Sequence, residues 1–361
     1  MLQMAQFPAA RLPETAGAYS REILSCTTEQ LLALSLAEAG GELLPELRQD
    51  ALSEKTAGAP LVLILGPYAA ISPDTWKRLV AQPERAVLTS GRLPLAFYGP
   101  AEEVLALSPQ TLPEGWPVVQ CEMGESLAAD SAEGAYAVQE QLRRRINFGW
   151  MQKGVFLADP NTTHISPNAA LEPGCTILPG CLIYGTSTVA EGAVIGPNTL
   201  LRDAHIGRDC KVNASQVNES TVGAGTTVGP FAYIRPGCTI GEKARIGDFV
   251  ELKNSTVGDG TKVSHLTYIG DSDLGSRINV GCGVVTVNYD GKKKYRTTVE
   301  DGSFVGCNVN LVSPVRIGKG SYLAAGGTIT EDVPEDALVI ARSRQTVKPG
   351  WARKRREEGK L

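Results

Sequence analysis

Residues 228–248 read VGPFAYIRPGCTIGEKARIGD, and the fold turns on what this stretch repeats. Val228, Ile234, Ile240 and Ile246 stand six apart, and glycine directly follows three of them. Working towards the N-terminus, the series runs back through Val222, Val217, Val212 and Ile206 at spacings of five and six. It then continues without a break at six through Leu201, Ile195, Val189, Ile183, Ile177, Leu171 and Ile165. Towards the C-terminus it passes Leu252, Val257, Val263, Ile269, Leu274 and Val280. After a gap it resumes at Val299, Val305, Leu311, Ile317, Leu323 and Ile329. A short fixed period signals a solenoid. Amphipathic helices need apolar residues three and four apart, and those are missing. A hexapeptide β-helix fits: six residues make one short strand and one corner, and three such units make a triangular coil. The apolar residue points inward, and glycine is expected to permit the corner.

Composition narrows the classes of function. The 361 residues carry a net charge of −4 with a sequence pI near 5.6, so there is no electrostatic footprint for nucleic acid. No apolar run is long enough to span a bilayer, and the first residues, MLQMAQFPAARLPET, lack the pattern of a signal peptide. The eight cysteines form no CxxC pair and no zinc spacing. A reduced, cytoplasmic protein with no membrane or metal dependence is expected.

The repeat gives each side chain a direction. Cys175, Cys181, Cys210 and Cys238 each fall four residues after an apolar repeat residue, the second inward position, and read as core fillers. His265, two residues after Val263, faces outward. One coil on, the same position is Cys282, and one further it is Cys307. The three form an outer column with about 4.8 Å between coils. Arg235 and Lys253 follow Ile234 and Leu252, eighteen residues apart, and stack on a neighbouring face. Tyr268 and Asn279 precede Ile269 and Val280. Arg235, Lys253, His265, Tyr268 and Asn279 are thus expected to border one corner. His164 and His205 read as surface residues. The polar insert VNYDGKKKYRTT, residues 287–298, is expected to loop out of the coil, where binding residues commonly sit.

Residues 247–294 (GDFVELKNSTVGDGTKVSHLTYIGDSDLGSRINVGCGVVTVNYDGKKK) and 304–345 (FVGCNVNLVSPVRIGKGSYLAAGGTITEDVPEDALVIARSRQ) carry a resemblance. They are similar to the acetyltransferase part of the bifunctional bacterial glucosamine-1-phosphate acetyltransferase/N-acetylglucosamine-1-phosphate uridyltransferase family, a hexapeptide-repeat acyltransferase. The resemblance starts near EQLRRRINFGWMQKGV (140–155) and runs to the C-terminus. It implies an all-β, left-handed parallel β-helix, preceded here by a small α/β domain and a linker helix. It implies His265 as general base, and Arg235, Lys253, Tyr268, Asn279 and Lys294 as residues holding the sugar phosphate. Asn288, Tyr289, Ala325 and Arg342 would contact acetyl-CoA, the co-substrate, with Cys282 and Cys307 lining the same path. A homotrimer with the site between subunits is also implied. The product, N-acetylglucosamine-1-phosphate, would feed UDP-N-acetylglucosamine and cell-envelope synthesis, including peptidoglycan and lipopolysaccharide.

The residue types suit that chemistry. Transfer from a thioester to an amine requires the amine to be free, and histidine, ordinarily titrating at about 6.5, is matched to taking its proton. A phosphate needs fixed positive charge. Either a backbone N–H near Cys282 or the Asn288 side chain is positioned to steady the oxyanion. Cys282 and Cys307 replace small residues, usually alanine and serine, and leave a second route open, an acyl-cysteine.

Before residue 130 the resemblance weakens. APLVLILG reads as a buried strand, and SPDTWKRLVA as a helix with Ser72 as N-cap and Pro73 in the first turn. RAVLTS and PLAFYG read as further strands, and PAEEVLALS as a helix. The family's glycine-rich triphosphate loop has no counterpart. LVLILGPYAAISPDTWKRL echoes its GDxPLI segment, with Pro67 where a metal-binding Asp would stand and Asp130 at the second metal position. The expected organisation is a shrunken nucleotidyltransferase relic over 1–133, a linker helix over 134–153 containing Val138, Leu142 and Ile146, a β-helix over 154–347 and a basic tail over 348–361. Three other readings stay open: a bifunctional enzyme retaining uridyl transfer, a non-catalytic scaffold, and a β-helix hydratase built on three histidines.

Overall fold

A computed structural model describes residues 2–6, 23–44, 60–66, 68–108 and 111–361. Pro67 lies outside them, as does most of the N-terminal fifteen-residue stretch quoted above. The chain forms two compact units, Met1–Asp209 and Cys210–Leu361.

The first unit opens with a six-stranded mixed sheet, in the order Gly41–Leu44, Leu2–Gln6, Pro60–Ile64, Leu93–Pro100, Ala86–Ser90, Val118–Gln120. Leu61, Val62, Leu63 and Ile64 are all fully buried. A strand apolar on both faces belongs inside a layered sheet. The helix Pro73–Val80 begins as its sequence dictates: Ser72 Oγ accepts from Thr75 N at 3.3 Å and proline occupies the first turn. Buried Glu125 secures the same end by accepting from Ser72 N at 2.9 Å and Thr75 Oγ1 at 2.8 Å. Helix Ala132–Gln152 buries Val138 and Leu142 in the core that holds Leu32, Ile64 and Trp76, with Ile146 packed at its edge. It is therefore part of that core as well as a connection.

The first parallel coils follow in the same unit, from Phe156–Leu157 to His205–Ile206. The second unit is built of such coils throughout. One of its sheets stacks Thr227–Val228, Arg245–Asp248, Lys262–His265, Asn279–Val280, Phe304–Val305 and Tyr322–Leu323. A second stacks Tyr233–Ile234, Glu251–Lys253, Tyr268–Gly270 and Val285–Val287. A third carries Thr256–Val257 and Ser272–Leu274. The fold is the left-handed parallel β-helix of about ten coils. Every apolar repeat residue from Ile165 to Ile329 is at most 5% exposed. Each such side chain contributes about 1.5–3 kcal/mol of burial, so every coil adds its own share of core.

Cys175, Cys181, Cys210 and Cys238 are also inward, at most 2% exposed. Burial pushes the Cys175 thiol up to about 11. Of the glycines that follow the apolar residues, Gly196 and Gly229 take the left-handed backbone that was expected, at φ 101° and 97°, while others serve a different end. Gly223 and Gly258 have no left-handed backbone. A Cβ on Gly223 would stand 2.5 Å from the Gly241 carbonyl carbon of the next coil, and one on Gly258 would stand 2.5 Å from that of Gly275. They allow coils to approach each other. Many corners are turned by larger residues in left-handed geometry, among them Phe231, Phe249, Leu266 and Arg277. Among the described residues no helix is long and apolar enough to cross a membrane.

Candidate active site

Every residue expected to take part in acetyl transfer lies in the second unit. Strands Arg245–Asp248 and Lys262–His265 are four residues long, where most strands in this fold are two or three. Their register puts Asp248 directly beside His265. His265 Nδ1 lies 2.6 Å from Asp248 Oδ1. An ionised carboxylate only accepts hydrogen bonds, so Nδ1 carries the proton and Nε2 is left as the acceptor, on a ring about half exposed. The bond from His265 holds the Asp248 carboxyl below the usual carboxylate range.

After Leu266 turns the corner, the chain enters the second sheet. On its outer face Arg235 and Lys253 stand on adjacent coils, because Ile234 pairs with Leu252. Arg235 donates to Glu251 Oε1 at 2.9 Å. Lys253 Nζ lies 3.3 Å from Asp271 Oδ2. Asn254 and Asn288 donate to the same carboxylate at 2.6 and 2.5 Å. Asp271 is buried, which by itself would raise its pKa, yet these bonds from Asn254, Lys253 and Asn288 hold it below the ordinary value.

Tyr268 sits one coil on from Glu251. A Cβ at Gly270 would lie 2.3 Å from the Tyr268 hydroxyl oxygen and 2.8 Å from Asn288 Nδ2. Glycine there makes room for both groups.

The insert after Val287 folds into a tight hairpin. Tyr289 and Lys294 bridge across it, and Asp290 Oδ1 accepts the backbone N–H groups of Lys292 and Lys293 at 2.7 and 2.6 Å. This brings Lys294 to Lys253. Facing each other, the two amines titrate apart: Lys253 is held above its ordinary value, with the Asp271 carboxylate favouring its charge, while Lys294 is pushed below its own. Arg235 adds to the depression of Lys294. Three basic side chains thus face two carboxylates, Glu251 and Asp271. The surplus positive charge suits an anion with more than one oxygen.

The outer column through His265 continues as expected. Val263, Val280, Val305 and Leu323 pair in register, so the residues two further on, His265, Cys282, Cys307 and Ala325, follow one another coil by coil. Cys282 is half-buried and Cys307 exposed. Gly326 adjoins Arg342, whose Cδ would be 3.7 Å from a Cβ placed there. Tyr289 is exposed, and its hydroxyl donates to Gly291 O at 2.7 Å. Asn279 is not brought to the His265 corner. It begins its strand, in register with Lys262, three positions away from the column.

His205 is exposed, with Nδ1 3.0 Å from Thr188 Oγ1, and His164 is half-buried in the first unit. Among the described residues no three metal-type ligands converge.

Sequence reasoning missed Asp248, Glu251 and Asp271. The first two were within reach: Asp248 is the column position one coil before His265, and Glu251 the position one coil before Tyr268. Asp271 was as well: two residues after Ile269, it lines up with Asn254 one coil before and Asn288 one coil after, although it is buried where that position is expected to face outward.

Residues 219–254 match the bacterial transferase hexapeptide (six repeats) family. The C-terminal part of the chain is 48% identical over 231 residues to the bifunctional protein GlmU of Halalkalibacterium halodurans, covering 64% of this chain and 51% of that protein. Bifunctional protein GlmU of Clostridium acetobutylicum is 49% identical over 231 residues, with the same coverage of each chain. That of Clostridium botulinum strain Langeland is 51% identical over 214 residues, covering 59% of this chain and 47% of the relative. The chain spans about half the length of the curated relatives it matches. Over its C-terminal 64% the resemblance drawn from the motifs is shown.

Proposed function

We propose that the chain transfers an acetyl group from acetyl-CoA to the amine of glucosamine-1-phosphate, yielding N-acetylglucosamine-1-phosphate and free CoA. The observation that carries this reading is one continuous surface. A histidine with a free Nε2 stands next to a face where Arg235, Lys253, Lys294 and Tyr268 gather with surplus positive charge.

The phosphate is held by Lys253 and Lys294, with Arg235 kept in place by Glu251. His265 Nε2 takes the proton from the amine as nitrogen attacks the thioester carbonyl. The Asn288 amide is already committed to Asp271. Among the described residues the Cys282 N–H donates to no backbone carbonyl, which favours it as donor to the oxyanion. Collapse of the tetrahedral intermediate expels the CoA thiolate, which takes the proton from His265 and leaves as the thiol along the column of Cys282, Cys307 and Ala325, towards Arg342. A homotrimer, with a neighbouring copy completing the site, belongs to this reading.

The region before residue 130 is read as a relic without uridyl transfer, because the sequence has no glycine-rich triphosphate loop. Two assays test the reading. Acetyl-CoA with glucosamine-1-phosphate should release free thiol faster than with other amino sugars, and a flat response across sugars would reject the acceptor. UTP with N-acetylglucosamine-1-phosphate and magnesium should give no pyrophosphate, and steady magnesium-dependent release would restore a bifunctional enzyme.

A further inference from the structure

We propose that Asp248 is a positioning residue for His265, fixing the ring and its tautomer so that Nε2 faces the reacting amine. This rests on the acetyl-transfer reading for its kinetic consequence, but its structural content stands alone.

The geometry is local and specific. Pairing between the two strands extends through Arg245–Lys262 and Ile246–Val263 and continues to Asp248–His265 at the corner. Both chains then turn in the same way, with Phe249 at φ 55° and Leu266 at φ 43°. Leu266 N donates to Asp248 O at 3.0 Å, which locks one corner onto the other. The two side chains therefore leave equivalent backbone positions on successive coils and meet at 2.6 Å.

Such a pair gains little stability, since both side chains are more than a third exposed and water competes for them. Its effect is directional. An imidazole free to rotate exchanges tautomers and presents Nε2 as an acceptor only part of the time. A carboxylate on Nδ1 fixes the protonated nitrogen and steadies the positive charge that the ring gains when it accepts the amine proton. Arg245, on the same strand, adds to the field that keeps Asp248 ionised. Cys282 and Cys307, further along the column, provide no carboxylate to take its place.

The test has a spectroscopic and a kinetic arm. In the protein without substrate, nitrogen-15 imidazole resonances should show His265 protonated at Nδ1 when neutral, and Asp248→Ala should return it to a mixture of tautomers. Asp248→Ala should lower kcat by roughly 10- to 100-fold, part of the contribution of a positioned base. KM for both substrates and the melting temperature should stay close to wild type. Asp248→Glu should recover more activity than Asp248→Asn, which has no charge and can donate to Nδ1 instead. The double variant with His265→Ala should be no slower than His265→Ala alone. Unchanged resonances and wild-type kcat in Asp248→Ala would overturn the proposal, even if His265→Ala is inactive. If His265→Ala retains full activity, the acetyl-transfer mechanism fails, and the resonance arm still decides whether Asp248 sets the tautomer.

Discussion

The layered region of the first unit and the coils around His265 in the second use charged and amide side chains in different ways. In the layers, polar groups are spent on the fold itself. Glu125 caps a helix, Arg145 donates to the Ala70 carbonyl at 2.9 Å, and Asn147 donates to the Pro160 and Thr163 carbonyls at 2.9 Å. In the coils the backbone pairs from one coil to the next, helped by small buried hydroxyls such as Ser255 and Thr261, and the apolar residues point inward. The outward positions are left for side chains stacked at a fixed interval. A solenoid can therefore assemble a charged site without disturbing its core, whereas the layers commit side chains such as Glu125 and Arg145 to holding the structure.

The largest effect that would break this contrast is on the cation face. Lys253→Ala should raise KM for the sugar phosphate by about 10- to 100-fold, the loss of one charge-assisted contact, with a smaller fall in kcat. Arg235→Ala should act in the same direction and non-additively, since both serve one phosphate. Substrate-saturation curves for the two single variants and the double variant decide this. Simple additivity would separate Arg235 from the phosphate.

A weaker effect is expected at Gly270→Ala. The new methyl group would press on the Tyr268 hydroxyl, so KM should rise several-fold, about 1 kcal/mol, with the fold intact by circular dichroism. An unchanged KM would remove Tyr268 from the binding face.

Acid stability sharpens the comparison further. Asp271 titrates below its ordinary value in the folded chain, so its bonds contribute stability above about pH 4 that is lost as pH falls through the folded value. Asp271→Asn should make the fall in melting temperature below about pH 4 shallower. An acid limb identical to wild type would mean that the carboxylate holds Lys253 and Asn288 without stabilising the coil.

The smallest effect belongs to the layers. The Trp76 indole N–H is buried with no acceptor among the described residues. Trp76→Phe loses some packing but removes that orphaned donor, so stability should change by no more than about 1 kcal/mol. Acetyl transfer should be unaffected. Loss of transfer in a folded variant would tie the layers to the chemistry.

The coil was legible because one residue in six had to be apolar and point inward, and those residues are buried without exception from Ile165 to Ile329. The layered strands around Leu61 and Val87 and the Ser72 cap were legible from apolar runs and capping chemistry. The column through His265 and the Arg235–Lys253 stack followed from the register. What escaped was set by contacts that periodicity does not encode. Asn279 shares Lys262's line and not the corner's. Asp271 follows the same register, with Asn254 one coil before it and Asn288 one coil after, but its burial does not; the pairing of Lys294 with Lys253 depends on a hairpin whose closure by Asp290 has no repeat behind it. Gly223 and Gly258 were misread for a similar reason, since the need for them arises from the next coil and not from their own dihedral angles.

The central claim is that His265 is the base and the thiols of its column are bystanders. The most direct test is kcat for acetyl transfer to glucosamine-1-phosphate, measured for His265→Ala beside Cys282→Ala. The account predicts a fall of roughly 10²- to 10⁴-fold for His265→Ala, with partial recovery at high pH as more amine becomes free, and near-wild-type turnover for Cys282→Ala. Full turnover in His265→Ala with none in Cys282→Ala would contradict it and assign the column to an acyl-cysteine.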